Sequence, residues 1–187
     1  EGHLVGSHTW DHSYWAGDLP DGRVRIRPSA GERQGEVLQW NQAQYCAEIR
    51  KPLQVLNEAG IATVPLFRAP GGKTSPRLLE WVNSCGYAPV GWSPAGFLGD
   101  ELPSEKYSNR MLLDKALRDI RSGDILLAHL GIWSRKEPWA PAVLEPLLAG
   151  LKAKGFCFET LAAHPVYGPA IQARSAKLQT AVRASKP

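Results

Sequence analysis

Two imidazoles four residues apart, His8 and His12 in His8-Thr9-Trp10-Asp11-His12, can hold a single metal ion. On a helix or tight helical turn, residues i and i+4 share a face, which aims both rings at one point. The same spacing also occurs in a capped turn with one buried and one exposed histidine. Neutral imidazole suits zinc, cobalt, nickel or iron. A catalytic ion takes three protein ligands and keeps one position for water. The third ligand is not evident, because Asp11 lies within the motif but off the shared face. A second segment, Arg68-Ala69-Pro70-Gly71-Gly72, ends an apolar run. Its glycines allow close backbone approach to a ligand, an amide there can stabilise an oxyanion, and Arg68 can orient a carboxylate in a fork geometry. A salt bridge followed by a turn would leave the same sequence. A third, Asp124-Ile125-Leu126-Leu127-Ala128-His129, ends in a histidine. A histidine after an apolar strand is often a satisfied core residue, but at the mouth of a site it can protonate a leaving amine or alkoxide. The chain offers no pair of carboxylates to complete such a site.

These groups need elements to position them. Residues 3–8 read as a short strand ending at His8, and residues 13–35, rich in Gly, Pro, Arg and Asp, as a long loop. Residues 36–59 carry Leu38, Tyr45, Ile49, Leu53 and Leu56 at helical spacing, closed by Gly60, with Pro52 expected to kink or split the helix. Residues 62–67 form a β-like run that delivers Arg68. Ser75 caps and Pro76 opens a helix with Leu78, Leu79 and Val82 inward, ended by Gly86. Residues 88–92 make a strand ending at Trp92, 109–121 a helix, 124–129 an apolar strand, 141–154 a helix and 156–161 a last strand. Residues 162–187 read as a polar tail with one short helical stretch. Alternating strands and helices imply a parallel α/β sheet, whose sites sit at the carboxyl ends of strands. His8, Arg68, Trp92 and His129 all fall at such ends.

The composition is that of a globular domain: 187 residues, 43% hydrophobic and 21% charged. The net charge of +4 is scattered rather than striped, which argues against nucleic acid. Seven Trp and five Tyr suit sugar stacking as well as packing. Cys46, Cys85 and Cys157 are odd in number and widely spaced, and their apolar settings suggest buried free thiols. No run is long and apolar enough for a membrane span.

Taken together, Gly2 to His12, Phe67-Arg68-Ala69-Pro70-Gly71-Gly72, Gly123 to His129 and the closing stretch Leu151 to Leu161 resemble the polysaccharide deacetylase family, the family 4 carbohydrate esterases with a NodB-type domain. The resemblance spans residues 1–161 and leaves 162–187 as a carboxyl-terminal tail. It implies a distorted (β/α) barrel and metal-dependent removal of acetyl groups from N-acetylated polysaccharide of N-acetylglucosamine type. It implies that His8 and His12 bind a divalent metal, zinc first, with cobalt, nickel or iron as alternatives. Arg68 would hold the catalytic base, and the turn Pro70-Gly71-Gly72 would supply the oxyanion amide at Gly71, where the family often has an aromatic residue. Trp92 and Leu127 would line the acetyl pocket, and His129 would be the general acid.

Two departures stand out. The family's Phe-Asp-Asp-type segment, which provides the base and a carboxylate ligand, lies upstream of the histidine motif and is not in this chain. The expectation is therefore the larger, carboxyl-terminal portion of the domain, without its first strand–helix–strand section, completed by an upstream segment of the same protein and of low activity alone. Around Trp92 the usual acid is also missing, with Asp100 as a distant substitute. Acetylxylan-type esterase or cyclic-amide hydrolase activity on the same fold, or a catalytically inactive glycan-binding relative, remain alternatives. The resemblance implies a cell-envelope or extracellular location.

Overall fold

The computed structural model describes residues 2–129 and 135–173, which fall into two compact units. The first comprises the described residues up to Gly91 and again from Glu159, and the second Trp92–Phe158. The first unit contains β1 (Ser13–Asp18), β2 (Val24–Pro28), β3 (Leu38–Trp40), α1 (Gln42–Glu58), β4 (Leu66–Phe67), α2 (Pro76–Ser84) and β5 (Ala88–Pro89). The second contains α3 (Asn109–Asp119) and α4 (Leu144–Ala153).

The parallel arrangement is present in the first unit. β4 pairs in parallel with β5, and residues 5–7 run along the other side of β4. Val64 N–H donates to Val5 O (2.9 Å), Ser7 N–H to Leu66 O (2.8 Å) and Arg68 N–H to Ser7 O (3.0 Å). This is the slanted pattern of a parallel ladder, here only a few rungs long. Gly6 permits the approach, since a Cβ there would lie 2.9 Å from Leu66 O. The ladder carries His8 and Arg68 out at adjacent ends.

Residues 13–35 are not the expected loop. β1, β2 and β3 form an antiparallel sheet in that order. In β2 the residues Val24, Ile26 and Pro28 are buried while Arg25 and Arg27 are exposed. Five residues of strict alternation make a half-buried strand, and the surrounding Gly, Pro and Asp composition hides that pattern. The next helix also starts later than expected. β3 takes residues 38–40, and Asn41 with Gln44 forms a capping box that sets the start of α1. α1 runs without interruption through Pro52.

α2 matches expectation. Ser75 Oγ accepts from Leu78 N–H at 3.1 Å, and Pro76 occupies the first turn. Leu78 and Val82 are fully buried and Leu79 half-buried. Val24 and Ile26 from the sheet, Tyr45, Ile49 and Leu53 from α1, Phe67 from β4 and Trp81 from α2 make one core. Burial, reinforced by the charge of Glu48, pushes the Tyr45 phenol well above its ordinary range and keeps it neutral.

The cysteine expectation is overturned. Cys46 on α1 and Cys85 at the end of α2 form a disulfide with Cα atoms 5.5 Å apart, and Cys157 is exposed. A separation of 39 residues carries no local signal, and only the packing of the two helices brings the thiols together. Reduction is expected to cost about 2–4 kcal/mol. Calorimetry with and without a reductant checks this: the midpoint should fall in the native chain and not respond to reductant in the Cys46→Ala/Cys85→Ala variant.

In the second unit, residues 124–129 make a single parallel bridge, Leu127 to Phe97, rather than a full strand. Ser93 N–H donates to Ile125 O (3.1 Å) and Leu127 N–H to Gly96 O (2.9 Å). Gly96 is forced by this approach, because a Cβ there would come within 1.9 Å of Ile125 O. Leu98, Leu112, Ala116, Ile120, Leu147 and Leu151 form the second core. Among the described residues, 156–160 carry neither strand nor bridge, and all but Phe156 are exposed, so the expected last strand is not seen. Residues 162–166 form turns and bends, a helical stretch occupies residues 167–173, and residues 174–187 lie outside the described residues.

Candidate metal-binding loop and histidine–carboxylate pair

The histidine motif is not a helix. Residues 8–12 form an irregular bend in which Thr9 (φ 66°) and His12 (φ 47°) are left-handed. Polar side chains do the work of helical hydrogen bonds. Ser13 N–H donates to Thr9 Oγ1 at 2.8 Å. Ser7 Oγ donates to Ile49 O at 2.7 Å. Glu48 on α1 takes two bonds on Oε1, from Asp11 N–H (3.0 Å) and Ser13 Oγ (3.0 Å). The bend still achieves what a helix was expected to do: the His8 and His12 rings lie edge to face with centroids 4.9 Å apart.

Their hydrogen bonds define which nitrogen faces a ligand. His8 Nδ1 donates to Arg68 O at 2.6 Å, and that carbonyl can only accept. Ser29 Oγ donates to His12 O at 3.1 Å and so accepts from His12 Nδ1, 2.7 Å away. With the proton on Nδ1, the form that the Arg68 carbonyl and the Ser29 hydroxyl can accept from, each Nε2 has the lone pair that a metal ligand needs. Histidines that bind metal are usually held this way, by a carbonyl or other acceptor on the second nitrogen. The donor set fits a divalent ion as far as it goes. No group of three His, Cys, Asp or Glu suited to a metal is found among the described residues.

Arg68 acts here through its carbonyl, which meets His8 Nδ1. Pro70–Gly72 is a 3-10 turn with Gly71 (φ 62°) and Gly72 (φ 65°) left-handed. Pro70 is buried, Gly72 N–H donates to Ala69 O (2.9 Å), and Lys73 N–H donates to Pro70 O (3.3 Å). Tyr14 lies directly against the turn, since a Cβ on Gly71 would be 2.7 Å from Tyr14 Cε1. His8, His12, Arg68 and Gly71 are thus brought together in the first unit.

In the second unit the sequence signal at Asp100 proves stronger than expected. Asp100 is 1% exposed, and both its oxygens address His129. His129 Nδ1 lies 3.3 Å from Oδ1 and 3.2 Å from Oδ2, and His129 N–H also donates to Oδ2. A buried carboxylate that takes both the ring and the backbone proton fixes the ring in the tautomer whose Nε2 exchanges protons. Leu127, two residues before His129, is buried, and Trp92 is half-buried with its ring 6.3 Å from Phe97. Glu48, Ser29 and Tyr14 escaped sequence reasoning. Their contacts span distances that no local pattern reports, 37 residues for Glu48 and Asp11.

The fold is that of the family 4 carbohydrate esterases. A solved peptidoglycan N-acetylglucosamine deacetylase matches with TM-score 0.59 and 23% identity, over 87% of this chain and 63% of that one. The family 4 carbohydrate esterase from Streptomyces lividans matches with TM-score 0.52 and 24% identity, over 65% and 58% respectively. The chain thus spans about three fifths of these structures. Its sequence is 30% identical over 172 residues to a chitooligosaccharide deacetylase from Azorhizobium caulinodans, covering 86% of this chain and 69% of the relative. The polysaccharide deacetylase family model matches residues 1–90. The chain belongs to the polysaccharide deacetylase family, with a NodB-type domain.

Proposed function

We propose that the protein removes acetyl groups from N-acetylglucosamine-type polysaccharide, with a divalent metal, zinc first, held by His8 and His12. The observation that carries this reading is the pair of Nδ1 hydrogen bonds, an arrangement that suits both Nε2 atoms to metal ligation. The third ligand and the base would be carboxylates from beyond the described residues, in an upstream segment of the same protein, and Arg68 would hold that base. The bound ion supplies a Lewis acid that makes water a nucleophile near neutral pH. The Gly71 amide would donate to the oxyanion that develops on the acetyl carbonyl; one such donor is typically worth about 3–4 kcal/mol in the transition state. His129, oriented by Asp100, would give its Nε2 proton to the departing sugar nitrogen. Trp92 and Leu127 would line the acetyl pocket. The relatives named for chitooligosaccharide and peptidoglycan substrates support the substrate class. The Cys46–Cys85 disulfide supports an extracytoplasmic location, since such bonds persist in oxidising compartments. No helix among the described residues is long and apolar enough to cross a membrane.

The test is acetate and free-amine release from N-acetylglucosamine oligomers by the zinc-loaded protein in its full natural length, with acetylated xylan as comparison. Release from the oligomers, abolished by a chelator, supports the proposal. Glycan binding that survives the chelator with no release at any metal would establish a non-catalytic relative instead.

A further inference from the structure

We propose that Tyr14 is a positioning residue of this site, one ring that locks the metal ligand His12 to the turn at Gly71. The proposal rests on the reading of His8 and His12 as metal ligands. His12 is left-handed (φ 47°) and lies just before β1, so no regular element dictates where its ring points. The Ser29 hydrogen bond fixes one edge of that ring but leaves rotation about the bond axis. Tyr14 packs on that ring from the side of the Gly71 turn: its ring stands perpendicular to the imidazole, at 89° and 4.9 Å between centroids. Edge-to-face packing of this kind favours one relative orientation.

The same ring covers Gly71. A Cβ at position 71 would sit 2.7 Å from Tyr14 Cε1 and 3.1 Å from Cδ1, so Gly71 is required by Tyr14 as well as by its φ of +62°. Lys73, two residues on, places Nζ 5.3 Å from the ring centre, within cation–π range. The register of β1 explains the direction. Tyr14 faces Arg27 across the ladder, whereas its neighbour Trp15 packs on the core, so Tyr14 projects from the opposite face of the sheet. A shift of β1 by one residue would break both contacts.

Cobalt(II) titration of the chain, followed by its visible absorption, tests the proposal beside His12→Ala, Tyr14→Ala, Tyr14→Phe, Gly71→Ala and Tyr14→Ala/Gly71→Ala. Tyr14→Ala is expected to weaken cobalt binding roughly 10-fold, the lower end for groups that orient ligands. Tyr14→Phe, which keeps the ring, should bind within about twofold of the native chain. Gly71→Ala should weaken binding in the native background and much less beside Tyr14→Ala. Should Tyr14→Ala not fold, Tyr14→Leu takes its place. Native affinity in Tyr14→Ala, or equal loss in Tyr14→Phe, overturns the role of the ring. A native chain that takes up no cobalt overturns the metal reading and this proposal with it, and the native titration separates the two failures.

Discussion

Replacing either His8 or His12 by alanine is expected to lower zinc affinity more than 100-fold, beyond the roughly 10-fold to 100-fold that follows loss of an orienting partner. In the proposed site each ring is one of the two ligands among the described residues, and losing one leaves a single imidazole. Isothermal titration of the native and variant chains measures the effect. Ser29→Ala gives the graded comparison. It removes the acceptor on His12 Nδ1 but not the ligand, so its loss should fall within the 10-fold to 100-fold range. The fold should withstand these changes, since both rings lie outside the buried clusters that form the two cores. If His8→Ala and His12→Ala bind zinc as the native chain does, the ion is held elsewhere and the site as described is wrong.

Asp100→Asn is expected to reduce turnover of the full-length protein by about 10²- to 10⁴-fold while zinc content stays unchanged. An asparagine can donate where the carboxylate only accepts, which favours the opposite tautomer of His129; in hydrolases with a buried carboxylate behind a histidine, that change costs about 10⁴-fold. His129→Ala should act similarly on turnover, with metal content again intact. Acetate release measured beside metal analysis separates the two quantities. Equal loss of metal and activity in His129→Ala would move His129 into the metal shell. A full loss of folding in Asp100→Asn would mean that the backbone bond from His129 N–H, rather than the ring contact, is what Asp100 supplies. Circular dichroism of that variant distinguishes the cases.

The candidate residues were legible in the sequence and their scaffold was not. His8, Arg68 and His129 stand out because each ends a run read as a strand, and His12 because it follows His8 by four residues. The His-x-x-x-His spacing suggested a helix or tight helical turn, and the chain reaches the ring proximity by an irregular bend with two left-handed residues and side-chain hydrogen bonds. Spacing along the chain reports reach and is silent on backbone path. α2 was read almost residue by residue, because Ser75-Pro76 and Gly86 are local start and stop signals. The β1–β2 hairpin was lost because its alternation is short and sits in a composition typical of loops. The disulfide, the Glu48 bonds and the Asp100–His129 pair all join residues 29 or more apart. Such contacts arise from packing, and a pattern search over a single sequence has no access to them.

Zinc K-edge absorption of the zinc-loaded chain tests the central claim most directly. Two imidazole nitrogens at about 2.0–2.1 Å, reduced to one in His8→Ala and in His12→Ala, is the predicted result. A spectrum with no imidazole shell, or one that neither substitution alters, would contradict it.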